Sequence, residues 1–270
     1  PASRGGKEGR LGLGYRNGGG SALALPPMFV PAQAQDEAWL RTAEELGTSL
    51  YQIDRAVQAA AKEGERSRAF RRDGRVQGWV ADVQPDVVRI TYVGTRDGAP
   101  VGLYRAAVDR SGRIREALEA IDAEPLSADL AMQHAIGRTA REVQRTTCSN
   151  EVETLVLPAD DGWHAYVLPR AAFADVYVLG GSYRIELSAS GDAVTQVQAL
   201  ASECVIVQNK KGSDAMLFAE DRGLLPNELH VYISRMAGKA MYVTTTPNGR
   251  TWLIRDGRIH GVERIPGAAG

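Results

Sequence analysis

The chain predicts an α+β fold in which antiparallel β-meanders each follow a packed helix, with the helix-plus-meander unit duplicated. Three observations predict it. An apolar stripe, Trp39, Ala43, Leu46, Leu50, Ile53, Val57 and Ala60, recurs at alternating spacings of four and three, the signature of one helix face. Short alternating runs separated by Gly, Asp and Pro turns follow it, as expected of hairpins. Lastly, the frame Gly-x-Tyr-Arg is used twice. Residues 102–112 and 181–191 agree at five of eleven positions, each with a tyrosine (Tyr104, Tyr183) and a closing Ser-Gly turn, and 252–259 repeats the aromatic alternation.

In chain order, the stripe predicts a helix over 36–62, with Asp36 able to cap it and Glu37 favourable to its dipole. Strands are predicted at 76–83, 87–93, 101–108 and 113–117. Ser127, Asp129 and a C-terminal set of arginines mark a second helix at 127–145. Strands follow at 152–157, 163–168, 176–179, 183–187 and 194–200. Further on, 203–208 reads as a strand, 214–221 as a short helix, and 229–234, 240–245, 250–255 and 258–262 as four short strands. The implied organisation is an N-terminal segment 1–35, a first unit 36–122, a second unit 123–202, a β-rich region 203–263 and a tail 264–270.

Net charge is −1 with acids and bases interspersed, so no global field draws the chain to nucleic acid, and no apolar run is long enough for a transmembrane segment. Residues 1–20 are glycine-rich with four basic residues and one acid; an apolar stretch and Ala32-Gln33-Ala34 follow, the outline of a secretory signal peptide interrupted by prolines. The other reading is a disordered tail. Export places the protein in a periplasm, with the cytoplasm as the alternative. It also decides between two readings of Cys148 and Cys204. In an oxidising compartment they form one disulfide bracketing the second unit; in a reducing one they remain inert buried thiols.

The four histidines have no metal-ligand spacing, and no nucleophile elbow, phosphate loop or dinucleotide loop is present; no cofactor is implied. A thiol at Cys148, after a helix C-terminus, lacks the electropositive setting that activates one. His164 beside Trp163, and His230 beside Tyr232, are read as strand-edge pairs that a binding surface could use. The remaining aromatic residues, alternating along strands, read mainly as core.

The stretch from Leu179, with Gly-Gly-Ser-Tyr-Arg-Ile-Glu-Leu, then 229–234, 238–243 and Trp252, resembles a family of uncharacterised exported proteins of Gram-negative bacteria over about the last 120 residues. The resemblance implies a compartment and no activity. The expectation is therefore a non-catalytic periplasmic binding protein that uses a sheet face or edge, its partner another envelope protein. A hydrolase without a recognisable motif, and a structural accessory of an envelope complex, are the alternatives. A cleft where His164 or His230 meets a carboxylate would favour the hydrolase.

Overall fold

The computed structural model describes residues 32–173, 175–202 and 204–262. Helix α1 (Ala32–Arg66) buries Ala43, Leu50, Ile53, Val57 and Ala60 of the predicted stripe, with Leu46 half-buried beside them, while Trp39 at its start is exposed. It starts before Asp36, which lies inside the helix and pairs with Arg250 at 3.8 Å instead of capping. The export segment expected at 1–35 lies almost wholly outside the described residues, and Ala32-Gln33-Ala34 falls in the first turn of α1.

After the short α2 (Arg68–Arg72), strands β1 (Gly78–Val83), β2 (Val87–Arg96), β3 (Ala99–Asp109) and β4 (Ile114–Pro125) form an antiparallel meander in sequence order. Helix α3 (Ala128–Glu142) is capped by Ser127, whose Oγ accepts from the Leu130 N–H. A second meander follows, with β5 (Val152–Ala159), β6 (Gly162–Pro169), β8 (Tyr183–Ser188) and β9 (Val194–Ala199) in that order. Between its second and third strands the chain makes β7 (Val176–Val178), which pairs with β10 (Ile206–Gln208). Residue 203, in the strand expected at 203–208, lies outside the described residues.

Helix-then-meander thus occurs twice, and the Tyr-Arg frame falls in the third strand each time. Tyr104 sits opposite Tyr92, and both pack on Phe70 of α2; Tyr183 sits opposite Val167, in the cluster that α3 covers. Each tyrosine therefore faces the helical layer that precedes its own meander. The bulges of β3 and the β7 excursion separate the two units, and their common order is a likeness of architecture that does not by itself show a duplication.

Two expectations fail in the last third. Residues 214–221 form a strand, β11 (Ala215–Glu220), and 229–234 lie in a helix, α4 (Glu228–Ala237). β11 lies parallel to β12 (Ala240–Thr245), with α4 as the crossover, and β13 (Arg250–Arg255) and β14 (Arg258–Val262) complete the sheet. The run Leu-His-Val-Tyr-Ile-Ser reads as a strand because it is β-branched and aromatic. Yet every residue from Glu228 to Ser234 is buried, so no polar face reveals the helical period. For β11 the reverse applies: Met216, Phe218 and Glu220 point inward and Leu217 outward, and pairing with β12 overrides helix-forming composition.

One apolar core joins all three four-stranded sheets. α1 lies against Ile90 and Ala106 of the first meander, Leu155 and Leu157 of the second, and α4 with Ile254 and Ile259 of the last. The other face of the second meander is covered by α3, through Met132, Ile136 and Ala140 on Val156, Val167 and Ile185. Tyr92 is buried in the larger core, and its hydroxyl has no hydrogen-bond partner among the described residues. Tyr92→Phe keeps the edge contact to Phe70 and removes an unsatisfied polar group, so it should raise stability by up to about 1 kcal/mol in urea unfolding. A loss would show that the hydroxyl has a partner.

Candidate functional site

His230 and Tyr232, expected on a strand edge, are buried inside α4 and belong to no surface. The Asn227 N–H donates to His230 Nδ1 at 3.1 Å, so the ring stands where a glutamate stands in a capping box. His230 Nε2, on the other side of the ring, lies 3.2 Å from Glu220 Oε2. Burial opposes ionisation of Glu220, but His230 and the Arg222 N–H hold its carboxyl below the usual range. This is a carboxylate–histidine pair whose outer nitrogen is spent on a helix cap, leaving none to activate a nucleophile. His164 is half-buried opposite Glu186; burial and then Arg184 depress its pKa, and its Nδ1 has no partner.

Two buried ionic clusters tie the elements together. Asp54 of α1, fully buried, accepts from Arg170 Nη1 at 3.0 Å and from Nη2, from the Tyr232 hydroxyl at 2.7 Å and from Gln58 at 3.2 Å. Glu228, at the N-terminus of α4, accepts from Arg184 Nη1 at 2.8 Å and from the Tyr166 hydroxyl at 3.3 Å. Burial first, and then the neighbouring carboxylates, raise the tyrosines: Tyr92 to about 12, Tyr166 and Tyr232 further. A folded pKa above the unfolded value of about 10 gives stability fully present below pH 10 and lost as pH rises through the folded value. Phenolate absorbance should therefore rise in two phases, the late one coinciding with loss of near-ultraviolet circular dichroism. A single phase centred near pH 10 would contradict this burial.

Cys148 and Cys204 form a disulfide with Cα atoms 5.3 Å apart. The predicted bracket around the second meander therefore exists.

A groove with room for a ligand lies elsewhere, between the two meanders. β1 and β5 are both edge strands, and α3 runs across the space between them. Near the C-terminal half of α3 a cavity of about 170 Å³ is lined by residues 77–80, Thr154 and Val156; near its N-terminal half one of about 530 Å³ is lined by residues 81–83 and 156–159. β1 and β5 therefore run in the same direction along one groove, and α3 runs opposite to both. Gln133 and Val156 touch both cavities, and Gln133 Oε1 accepts from the Ala81 N–H at 3.3 Å, standing where a neighbouring strand's carbonyl would be. The Gln84 N–H bonds within the hairpin to Val87, so by strand alternation Trp79, Ala81 and Val83 turn their backbone groups to the groove. Likewise the Arg170 N–H bonds to the Glu151 carbonyl, which leaves Thr154, Val156 and Pro158 facing it from β5. A proline so placed costs no ladder bond.

The groove is electrically two-ended. Arg138, Arg141 and His134 line the smaller cavity, and Asp82, Asp129, Asp160 and Asp161 the larger. Neither Arg138 nor Arg141 has an acid within ion-pair reach among the described residues; Arg141 Nε donates only to Thr154 Oγ1, at 3.3 Å. Arg145, by contrast, is occupied by the carbonyls of residues 140, 141 and 143 at the end of α3. Burial and the two arginines keep His134 below its ordinary pKa. Trp79 stands at the basic end and Trp163 at the acidic end, where the Trp163 indole N–H donates to the Ala189 carbonyl at 3.3 Å. Of the binding-surface candidates read from the sequence, Trp163 alone reaches this groove; Ser127, Asp129 and the arginines carry only a helix-end signal there, and the edge backbones of β1 and β5 and Gln133 carry none.

Gly137 forms part of the floor with ordinary helical geometry, and a Cβ there would meet only Val156 Cγ2, at 3.7 Å. Nothing in the fold demands glycine. Gly137→Ala should therefore stabilise by about 0.5–1 kcal/mol, read as a shift in the urea midpoint. Destabilisation would mean that the floor is already tightly filled.

No family model, no curated protein and no solved structure matches the chain. Among the described residues no cluster of three or more His, Cys, Asp or Glu side chains is placed to hold a metal, and no helix is long and apolar enough to cross a membrane.

Proposed function

We propose that the protein is a non-catalytic binding protein of an oxidising compartment, the periplasm of a Gram-negative bacterium, and that it holds a partner protein in the groove between β1 and β5. One observation carries this reading: two edge strands turn backbone groups that belong to no ladder toward a common groove that a helix floors. Open edges are ordinarily covered or blunted, and an exposed one is a template for a further strand. The disulfide, the signal-like outline of the N-terminal segment and the resemblance to exported proteins support the compartment. Between hydrolysis and binding, the spent outer nitrogen of His230 favours binding.

The test is capture from envelope extract with the disulfide-bonded protein and with Val83→Pro. Val83 is exposed, and its N–H faces the groove, so proline there leaves the pairing with β2 intact. A stoichiometric partner held by the parent protein and lost by the variant, at equal thermal stability, is the expected result. A partner held equally by both would move the site away from the groove. No partner, together with turnover of an ester or peptide panel, would overturn the binding reading.

A further inference from the structure

Resting on that reading, we infer that the occupant is the C-terminal tail of another polypeptide, bound as an extended strand antiparallel to β1, with its terminal carboxylate between Arg138 and Arg141. Three features of the groove lead there. The first is length: β1 offers six residues, and at about 3.4 Å per residue a segment of roughly six or seven residues spans it. Pro158 removes a donor from the far half of β5, so pairing is mainly with β1, joined by β5 at Thr154 and Val156.

Polarity is the second. A strand antiparallel to β1 ends at the arginines and begins at Asp129, Asp160 and Asp161. A strand in the opposite sense would bring its N-terminal side to the two cations and its C-terminal side to the three carboxylates, opposing like charges at both ends. Antiparallel pairing is also the more stable per residue.

The third feature is room. The groove narrows to about 170 Å³ at the basic end, against about 530 Å³ at the acidic end. The narrow end suits a last residue and its carboxylate better than a chain passing through. Arg138 and Arg141 carry unused guanidinium donors there, and a carboxylate is the group that such forks bind best. At the wide end the aspartates and the Trp163 face favour a basic side chain about five or six residues before the terminus. Gln133 must release Ala81 as the strand enters, one weak bond exchanged for a ladder.

The probe is a library of random octapeptides displayed with free C-termini and panned on the disulfide-bonded protein; the most enriched sequence is then synthesised as the free acid and as the C-terminal amide. A charge-assisted carboxylate contact of the usual strength makes the acid bind about tenfold tighter or more. Arg138→Gln with Arg141→Gln, both exposed, should abolish that preference while leaving the amide's affinity unchanged. Amide hydrogen exchange should slow at residues 79–83 on binding. Equal affinity of acid and amide, protection confined to another part of the chain, or no enriched sequence would each overturn the inference. Loss of an envelope partner by Val83→Pro with no C-terminal preference would leave the groove standing and remove only this occupant. Peptide binding that Val83→Pro does not affect would count against the groove itself.

Discussion

Asp54→Ala should cost about 3–5 kcal/mol, the loss expected when one partner of a buried ion pair is removed. Asp54 is fully buried and receives hydrogen bonds from three side chains contributed by α1, the end of β6 and α4. Without it, Arg170 keeps only Glu153, at 3.5 Å, and the buried Tyr232 hydroxyl loses its acceptor. Asp54→Asn keeps an acceptor and should lose less. Replacing Asp54 by leucine together with Arg170 by methionine should recover much of the difference, because no uncompensated charge is then left inside. Urea unfolding of the four proteins gives the comparison. A loss below about 1 kcal/mol for Asp54→Ala would mean that Arg170, a quarter exposed, swings to solvent without penalty.

Opening the disulfide should cost about 4 kcal/mol on the chain-entropy account, since Cys148 and Cys204 close a loop with a sequence separation of 56. Native strain subtracts from that figure. The expected result is a lower urea midpoint for Cys148→Ala/Cys204→Ala, with the slope of the transition raised by a more open unfolded state. Thiol titration of the unreduced, denatured protein should find no free thiol; two free thiols would remove the bridge and the strongest support for an oxidising compartment. Gly181 lies against Cys148, at φ +78°, where an added Cβ would come within 2.9 Å of the Cys148 backbone nitrogen. The glycine of the Tyr-Arg frame thus has a reason particular to the second unit, because Gly102 meets only Ile121 and Thr91 side chains at that range.

What the sequence made legible was whatever has a period and a solvent side. The α1 stripe, both meanders and the Ser127 cap are local patterns with one polar face, legible to within a few residues of their ends except for β4, expected at 113–117 and found at Ile114–Pro125. α4 and β11 were exchanged because burial erased the polar face of one and parallel pairing imposed an alternation on the other. The local signals of α4 lie only at its ends, in Asn227 as N-cap and Gly238, at φ 62°, as C-cap. Asp54 with Arg170, and Arg138 with β1, could not be read. The first pair is separated by 116 residues, and the second is a relation between a helix and the edge of a sheet that it does not belong to. Trp163 stands out in the sequence beside His164, yet its place at the groove comes from the α3 side, away from that histidine.

α1 is the first described helix, and its Glu44 accepts hydrogen bonds from the Arg258 guanidinium and from the Ile259 N–H, 215 residues away in the last strand. A chain made from its N-terminus at roughly 5–20 residues per second therefore carries this carboxylate without its partners for about ten to forty seconds. By the end of that interval α1 already has both meanders and α4 to lie on. A nascent chain halted before residue 258 should still leave Glu44 without either hydrogen-bond donor. The helix begins the core, and the final strand is the last of its partners to arrive.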